Sequence, residues 1–166
     1  MISEGIEFKE LASYSDVQLD ELNGLLKELS VTASLDAIDL ERVLGDRNCH
    51  LYVILKDMHI IGCATLCIFH SPTGTKASVE DVVVSTAYRG QHLGRRLMEH
   101  LMVQAQEFAP IQLQLTSRPS RTQANNLYRS LGFQQKETNC YTLMLTNDVE
   151  EEKEKRIVGS IRLTGR

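Results

Sequence analysis

Residues 79–101 read VEDVVVSTAYRGQHLGRRLMEHL, and this stretch changes from a strand pattern to a helix pattern within a few residues. The run at 79–84 is rich in β-branched residues, as expected of a buried strand. Beyond Gly94 the apolar side chains recur every three or four residues, which predicts an amphipathic helix that starts near Gln91. The sequence therefore predicts a tight turn that joins the end of a strand to the start of a helix.

This turn has the properties of an anion-binding site. The first N–H groups of a helix have no partner within the helix, and the helix dipole adds partial positive charge there. Glycines at 90 and 94 let a ligand approach the backbone closely, and formal charge comes from Arg89, Arg95 and Arg96. The alternative is an ordinary strand-to-helix turn with a solvated basic patch, since short glycine motifs also match by chance.

A second segment predicts another strand followed by a helix. Residues 111–116, IQLQLT, alternate apolar and polar side chains, and residues 117–133 read SRPSRTQANNLYRSLGF. The latter pattern predicts a short helix that ends at Gly132, because glycine readily adopts the left-handed conformation that terminates many helices.

Together the two segments resemble the GNAT superfamily of acyl-CoA-dependent N-acetyltransferases. Arg89 and Gly94 match the family motif Arg/Gln-x-x-Gly-x-Gly/Ala, with His92 where the family usually has its first motif glycine. Residues 124–133 match the second motif, Ala-x-x-Leu-Tyr-x-x-x-Gly-Phe, and Arg121 stands where many members have an asparagine. Two motifs in the right order and spacing are more specific than either motif alone.

The resemblance implies an α+β fold within the broad α/β class, with a mixed, mostly antiparallel sheet. It implies about seven strands, flanked by about four helices and splayed between strands 4 and 5. It also implies acetyl-CoA as co-substrate. The expected contacts with CoA are the main chain of Val82 and Val84, the turn residues Arg89, Gly90, Gln91, His92, Leu93, Gly94, Arg95 and Arg96, and the helix-region residues Arg121, Asn125 and Tyr128.

Acetyl transfer to an amine also needs proton donors and acceptors. An alkylamine with a pKa near ~10.4 is protonated at neutral pH, so a carboxylate or a water chain has to remove a proton. Glu80 and Asp81 are the carboxylate candidates, and they point to opposite faces unless a bulge intervenes. The likeness of Glu-Asp-Val-Val-Val to the glucosamine-phosphate acetyltransferases favours Glu80; a purely structural carboxylate pair is the alternative.

The resemblance also assigns roles to the opposite wall of the site. It makes Tyr128 the general-acid candidate for the departing thiolate, with a packing role as the alternative. It makes the N–H groups of Val82 and Val84 the donors to the acetyl oxygen. A covalent route through Cys63 or another cysteine is disfavoured because none has a sequence neighbour that would lower its pKa.

The predicted function is N-acetyl transfer from acetyl-CoA to a primary amine of a small molecule or peptide, by direct attack in a ternary complex. One alternative is a catalytically silent CoA-binding regulatory module. Another is a nucleotide-binding protein, although the sequence lacks the Lys-Ser/Thr that follows the glycine in phosphate-binding loops of that kind. The amine stays open, because Asp36, Asp39 and Glu41 suit a cationic acceptor whereas Arg118 and Arg121 suit a phosphorylated one.

Charge is distributed unevenly along the 166 residues. The formal net charge is −4, which argues against general nucleic-acid binding. From Arg89 to Arg129, however, six arginines accompany only two acidic residues, an excess of four positive charges. A polyanionic small ligand such as coenzyme A is the kind of ligand that such a segment attracts.

Other patterns bear on location and metal binding. No stretch approaches the length of a membrane span, and the N-terminal residues lack the pattern of an export signal. The four cysteines have no metal-ligand spacing, and Cys63 and Cys67 on one strand are roughly 13 Å apart, too far for a disulfide. These features predict a reduced, cytoplasmic protein with no metal and no membrane partner.

The remaining patterns give the order β-α-α-β-β-β-α-β-α-β-β, which the GNAT fold uses. A GNAT domain is predicted over residues 1–146, and a charged tail over 147–166. The tail is interpreted as a solvated linker, with an added edge strand or exchange between subunits of a homodimer as alternatives. Besides the segments above, strands are predicted at 6–12, 49–55, 60–69, 77–84, from Phe133 and at 140–145, and helices at 16–29 and 35–44.

Overall fold

The computed structural model describes residues 5–145, which contain one five-stranded sheet and four α-helices. Two short 3-10 turns, Thr86–Tyr88 and Gln106–Phe108, lie before and after the third helix. The strands are β1 (Ile6–Glu10), β2 (Cys49–Lys56), β3 (His59–Ser71), β4 (Gly74–Val84) and β5 (Ile111–Gln114). The helices are α1 (Asp16–Leu29), α2 (Ala37–Gly45), α3 (Leu93–Ala105) and α4 (Thr122–Ser130).

The sheet has its strands in chain order, β1-β2-β3-β4-β5. Neighbours from β1 to β4 are antiparallel, and β5 runs parallel to β4. This arrangement confirms the predicted α+β class with a mixed, mostly antiparallel sheet. The predicted number of seven strands is wrong, since the sheet formed by residues 5–145 has five.

The two strands predicted from Phe133 onward and at 140–145 are not formed in the described part of the chain. The compact unit that contains the sheet extends to Phe133, and residues 134–145 belong to a second unit that has neither helix nor strand in its described part. Within that unit the side-chain amide of Asn139 donates to the Tyr141 hydroxyl at 3.2 Å. Alternation shows only that a segment suits a strand, whereas pairing also needs a partner strand within reach. The predicted tail, 147–166, lies outside the described residues.

The two faces of the sheet carry separate cores. One face packs on α3, with Tyr52, Ile54 and Leu66 of the sheet against Leu97 and Leu101 of the helix. The other face packs on α1 and α2 and contains fully buried leucines from each helix, Leu22 and Leu40. Because helices cover both faces, the central strands are apolar on both sides, which explains the long aliphatic runs of β2 and β3.

Local signals set the helix boundaries. Ser15 and Gln18 form a capping box at the start of α1, in which the Ser15 hydroxyl accepts from the Gln18 N–H and the Gln18 side chain accepts from the Ser15 N–H. Asp36 caps α2 by accepting from the Asp39 N–H at 2.8 Å. The helix predicted at 35–44 therefore begins at Ala37, because a capping residue has extended backbone.

None of the helices in the described part of the chain combines the length and the apolar character needed to cross a bilayer.

Candidate active site

The sheet opens between β4 and β5, as predicted. The last pair of the two strands is Ser78 with Gln114, where β5 ends, whereas β4 continues beside β3 to Val84. The opening between the second half of β4 and the segment that follows β5 is a cleft. Its walls are formed by Leu29 of α1, residues 79–82 of β4, residues 115–117, and Arg121 and Tyr128.

Backbone N–H groups of β4 point into this opening. The Ser85 N–H donates to the Ile61 carbonyl at 2.9 Å, which makes residue 85 a hydrogen-bonded partner of β3. In an antiparallel pair such partners occur at every second residue, so Val83 also faces β3. The N–H groups of Val82 and Val84 consequently face away from β3, on the side where β5 has already ended.

A β-bulge interrupts β4 at Asp81. Thr65 of β3 pairs with Glu80, but Cys63 pairs with Val83, so two β4 residues lie opposite Ala64 alone. Asp81 has a positive φ of 52°, and its carbonyl accepts from the Cys63 thiol at 3.8 Å. The strict alternation that would separate the two carboxylates of residues 80 and 81 is therefore broken, and both line the cleft.

The bulge also gives the two carboxylates different environments. Partial burial, and then the nearby Glu80 charge, raise the pKa of Asp81 above the ordinary value of 3.8. Glu80 instead accepts a short hydrogen bond from the Ser78 hydroxyl. A carboxylate with a raised pKa is a stronger base near neutral pH than an ordinary one.

Helix α3 starts in a conformation that leaves its first N–H groups open. His92 is the N-cap residue, it has φ 58° in the left-handed region, and its side chain caps none of the helix N–H groups. The first helical bond is from the Arg96 N–H to the His92 carbonyl at 3.1 Å. The helix begins at Leu93 rather than near Gln91 because a left-handed residue cannot continue an α-helix backwards. The positive φ explains why glycine suits this position, and histidine is among the side chains that tolerate it.

Gly94 brings three elements together. A Cβ atom added to it would lie 3.8 Å from Leu127 Cδ2 on α4 and 3.9 Å from Val84 Cγ2 on β4, which is ordinary van der Waals contact. The fold itself therefore does not require glycine here. That Gly94 leaves room for CoA between β4, α3 and α4 stays a prediction.

Arg89 anchors the turn that precedes α3. Its Nε donates to the Val84 carbonyl at 3.3 Å, and its guanidinium pairs with Glu28 of α1 at 3.4 Å. The same Glu28 carboxylate accepts from the Thr86 N–H at 2.9 Å and from the Thr86 hydroxyl at 3.0 Å. Glu28 therefore connects the turn to α1, and no sequence pattern predicts this role because its partners lie about sixty positions away.

The two arginines on the first turn of α3 contact other protein groups. Arg95 pairs with Glu99 at 3.3 Å and donates to the Ser130 hydroxyl on α4. The Arg96 guanidinium lies 4.7 Å from the centre of the Phe8 ring, a cation–π contact with β1. Gly90 and Gln91 lie in the exposed turn, and Gly90 has φ 79°, a conformation that favours glycine. Whether this group contacts CoA stays a prediction.

Tyr128 forms part of the opposite wall. Its ring packs edge-on against Phe133, with 6.1 Å between the ring centres. Burial raises the pKa of Tyr128 above 10.0, and the smaller effect of the Arg121 charge opposes that shift. Arg121 itself donates to the Leu29 carbonyl at the end of α1 at 3.0 Å, and Asn125 donates to the Arg118 carbonyl at 3.0 Å. A hydroxyl with a raised pKa stays protonated at neutral pH.

Ser117 was not singled out in the sequence. It lies in the cleft wall just after β5, and its hydroxyl oxygen is buried without a hydrogen-bond partner among residues 5–145. Buried hydroxyls are normally hydrogen-bonded. The position of Ser117, a polar residue directly after the predicted strand 111–116, is the sequence feature that could have identified it.

Metal binding finds no support in the side chains of this part of the protein. Among residues 5–145 no three His, Cys, Asp or Glu side chains are grouped closely enough to hold a metal ion.

The end of β4 therefore lies next to the first turn of α3, and the cleft beside it is lined by two carboxylates and a tyrosine. Residues 16–133 match the family model described as "Acetyltransferase (GNAT) family". The chain belongs to the GNAT family of acetyltransferases.

Solved structures with the same fold include three acetyltransferases. An acetyltransferase of Trypanosoma brucei is 24% identical, with 84% of this chain and 99% of that chain covered and a TM-score of 0.69. Glucosamine-6-phosphate N-acetyltransferase from Arabidopsis thaliana is 19% identical over 86% of this chain and 100% of that chain, with a TM-score of 0.68. The aminoglycoside N-acetyltransferase AAC(6')-Iy in complex with CoA is 17% identical over 88% and 100%, with a TM-score of 0.71. Curated protein sequences gave no match.

Proposed function

We propose that this protein is an N-acetyltransferase that moves the acetyl group of acetyl-CoA to a primary amine by direct attack in a ternary complex. The observation that carries the proposal is the cleft between β4 and β5. Glu80, Asp81, Val82 and Tyr128 line this cleft, and Val84, two residues further along β4, lies next to Gly94 in the first turn of α3. Membership of the GNAT family and a CoA complex of a protein with the same fold support the choice of CoA.

Different groups in and beside the cleft would have different roles in the reaction. The N–H groups at the start of α3 would bind the pyrophosphate, because they lack partners and carry partial positive charge. The N–H groups of Val82 and Val84 would bind the pantetheine amide and the acetyl oxygen as it gains negative charge. Tyr128 would give its proton to the departing sulfur. Each group is held by strand or helix backbone, so little reorganisation is needed during the reaction.

Asp81 is the better candidate for the base that receives the amine proton. Its carboxylate has a raised pKa, whereas Glu80 accepts a hydrogen bond from the Ser78 hydroxyl. Proton transfer is most efficient when the pKa of the base lies close to the working pH. This assignment differs from the preference for Glu80 that sequence likeness gave.

Matched amide variants separate the two carboxylates. We expect Asp81→Asn to lower kcat/KM by roughly 10²-fold, the lower end for a lost general base, and Glu80→Gln to lower it by less than about tenfold. Asparagine tolerates a positive φ, so the bulge should persist. The measurement is the pH profile of kcat/KM for each variant.

The pH profile has a definite sign. Because the pKa of Asp81 is raised, the acidic limb of the parent profile should lie above the ordinary aspartate value of 3.8, and Asp81→Asn should lack that limb. A raised pKa also means that the charged form is disfavoured in the folded state, so this group makes folding less favourable as pH rises through its pKa. The Tm of Asp81→Asn at neutral pH should consequently equal or exceed that of the parent. A limb that persists in Asp81→Asn and disappears in Glu80→Gln would assign the base to Glu80 instead.

A cationic amine is the acceptor class that the charges of the cleft favour. Two carboxylates, Glu80 and Asp81, and one arginine, Arg121, line the cleft, so its charged side chains sum to −1. The acidic residues at α2 make contacts within the protein instead. Asp36 caps the helix, and Asp39 pairs with Arg42 at 2.9 Å. Glu41 accepts a hydrogen bond from the Tyr14 hydroxyl. The aminoglycoside enzyme with the same fold acts on a polycationic amine class, which agrees with this choice.

The test is thiol release from acetyl-CoA with a panel of amines that includes aminoglycosides, polyamines, amino sugars, their phosphates and peptide N-termini. We expect turnover above the hydrolysis background with at least one cationic amine, and acetylation of that amine by mass spectrometry. The alternative is a catalytically silent CoA-binding module. Stabilisation by CoA without turnover of any amine in the panel would favour that module, and the absence of CoA binding would contradict both.

A further inference from the structure

Two cysteines face each other across β2 and β3. Cys49 and Cys67 are direct cross-strand partners, and their sulfur atoms lie 3.7 Å apart. The Ile68 N–H donates to the Asn48 carbonyl at 2.7 Å, so residues 48 and 68 are the hydrogen-bonded pair. The adjacent pair of cysteines is then a non-hydrogen-bonded pair, whose Cα atoms are typically about 4.5 Å apart. That spacing falls at the short end of the range that disulfides span.

The two cysteines lie on the same face of the sheet as Ser78 and Glu80 of β4. Cys67 is opposite Ser78 of β4, and directly opposed residues share a sheet face. Ser78 shares that face with Glu80, to which its hydroxyl donates. The thiols are therefore on the same face as the carboxylate of the cleft, and only one strand separates Cys49 from the strand that carries Glu80.

The four cysteines differ in environment. Cys49 and Cys67 are half-buried, Cys63 is fully buried, and Cys140 is exposed. Burial, together with the contact with Cys49, raises the pKa of Cys67 to about 12, so Cys67 is a protonated thiol at neutral pH. Cys49 also contacts the Asp46 carboxylate, with 3.7 Å between sulfur and oxygen, at the first residue of β2. Asp46 Oδ2 is placed to accept the proton of the Cys49 thiol, so Cys49 is the partner that would react first.

We propose that Cys49 and Cys67 are a dithiol site that is converted reversibly to an intramolecular disulfide by small disulfides of the glutathione class. In the first step the Cys49 thiolate attacks a sulfur of the small disulfide, a mixed disulfide forms on Cys49, and one small thiol leaves. In the second step the Cys67 sulfur loses its proton, attacks Cys49 Sγ and expels the second small thiol. The protein loses two hydrogen atoms, and one small disulfide is reduced to two thiols.

Geometry explains why the bond would be reversible. Disulfides that are strained or accessible have higher reduction potentials than structural ones, and such bonds are the labile ones. A bond between non-hydrogen-bonded neighbours in adjacent strands is at the short limit of spacing. The folded sheet nevertheless holds the second sulfur next to the first, which gives the closing step a high effective concentration.

The experiment uses the full chain equilibrated in buffers with graded ratios of reduced to oxidised glutathione, native and in urea. Samples are quenched with acid, alkylated and mapped by mass spectrometry. We expect a peptide cross-linked between Cys49 and Cys67 with the loss of two hydrogen masses, and an equilibrium constant for its formation about tenfold or more higher in the native protein than in urea. Equal or lower cross-linking in the native protein would overturn the proposal.

Matched serine variants test the order of the steps. Cys67→Ser should accumulate the glutathione adduct on Cys49, because the attacking sulfur is gone. Cys49→Ser should give no cross-link and should leave Cys67 unmodified, while Cys140→Ser should cross-link like the parent. Accumulation of the adduct on Cys49 in the parent, with Cys67 still free, would contradict the site. Thermal unfolding of each variant confirms that the sheet is intact.

Discussion

Replacing Tyr128 by phenylalanine is expected to lower kcat by about 10²–10⁴-fold, the range typical of general acid–base catalysis, with acetyl-CoA affinity nearly unchanged. The variant keeps the ring and its edge-on packing against Phe133 and removes only the hydroxyl. Without that proton donor, the sulfur has to leave as a thiolate assisted by water alone. Since the interaction is made mainly in the transition state, the loss belongs in kcat rather than in binding.

The pH dependence of kcat is a second measurement that tests the role of Tyr128. Burial raises the pKa of Tyr128, so in the parent the alkaline limb of kcat should lie above 10.0 and should be missing in Tyr128→Phe. Tyr52→Phe is the matched control, because it makes the same chemical change at a buried tyrosine on β2 outside the cleft wall. Its kcat should stay close to that of the parent. If expulsion of the thiol is shown to be the rate-limiting step and Tyr128→Phe still releases thiol at the parent rate, Tyr128 is a packing residue and not the general acid.

Replacing Gly94 by tryptophan is expected to abolish stabilisation by CoA. At a CoA concentration of 100 times Kd, mass action adds about 2.7 kcal/mol to the free energy of unfolding. For a chain of this size that corresponds to a rise in Tm of roughly 5–10 °C. A large side chain at residue 94 has to occupy the space between Val84 and Leu127, where an added Cβ already makes contact. CoA and the side chain cannot share that space, so the shift in Tm should disappear.

Two controls make this result specific. Gly94→Ala adds a methyl group at ordinary contact distance and should fold normally with a reduced shift. Gly24→Trp introduces the same bulk on the exposed side of α1, where an added Cβ meets nothing within 4 Å, and should keep the full shift. ATP and NAD should give no comparable stabilisation of the parent. A full CoA shift in Gly94→Trp would place the phosphate site elsewhere.

The parts of the fold that follow from local chemistry could be predicted from the sequence. The boundaries of α1 agree with the prediction because Ser15 and Gln18 form the capping box within the same few residues. The hairpin between β2 and β3 follows from the Lys56–His59 turn, whose central residues Asp57 and Met58 adopt positive φ. Signals of this kind need no information from distant parts of the chain.

Features that depend on pairing between distant segments could not be predicted in the same way. The bulge at Asp81 exists because β3 pairs with β4 in two registers, which the strand pattern of 79–84 does not encode. The partners of Arg89 and Arg96 are Glu28 and Phe8, which lie far away in sequence. The sequence therefore suggested either a ligand-binding site or a solvated basic patch for the arginines, but not these contacts within the protein. The prediction of two additional strands was wrong for the same reason, because an alternating apolar pattern does not show whether a partner strand lies beside it.

The bulge in β4 has a consequence for how this enzyme can diverge. Val79 and Val84 pack in the same core although an odd number of positions separates them, because the extra residue at Asp81 shifts the alternation by one. Removing one residue there would restore a regular strand and turn every later side chain, and every later N–H group, to the wrong side. Side chains of this strand can therefore be exchanged without changing the direction of the residues that follow, whereas an insertion or deletion within the strand would reverse that direction for each of them.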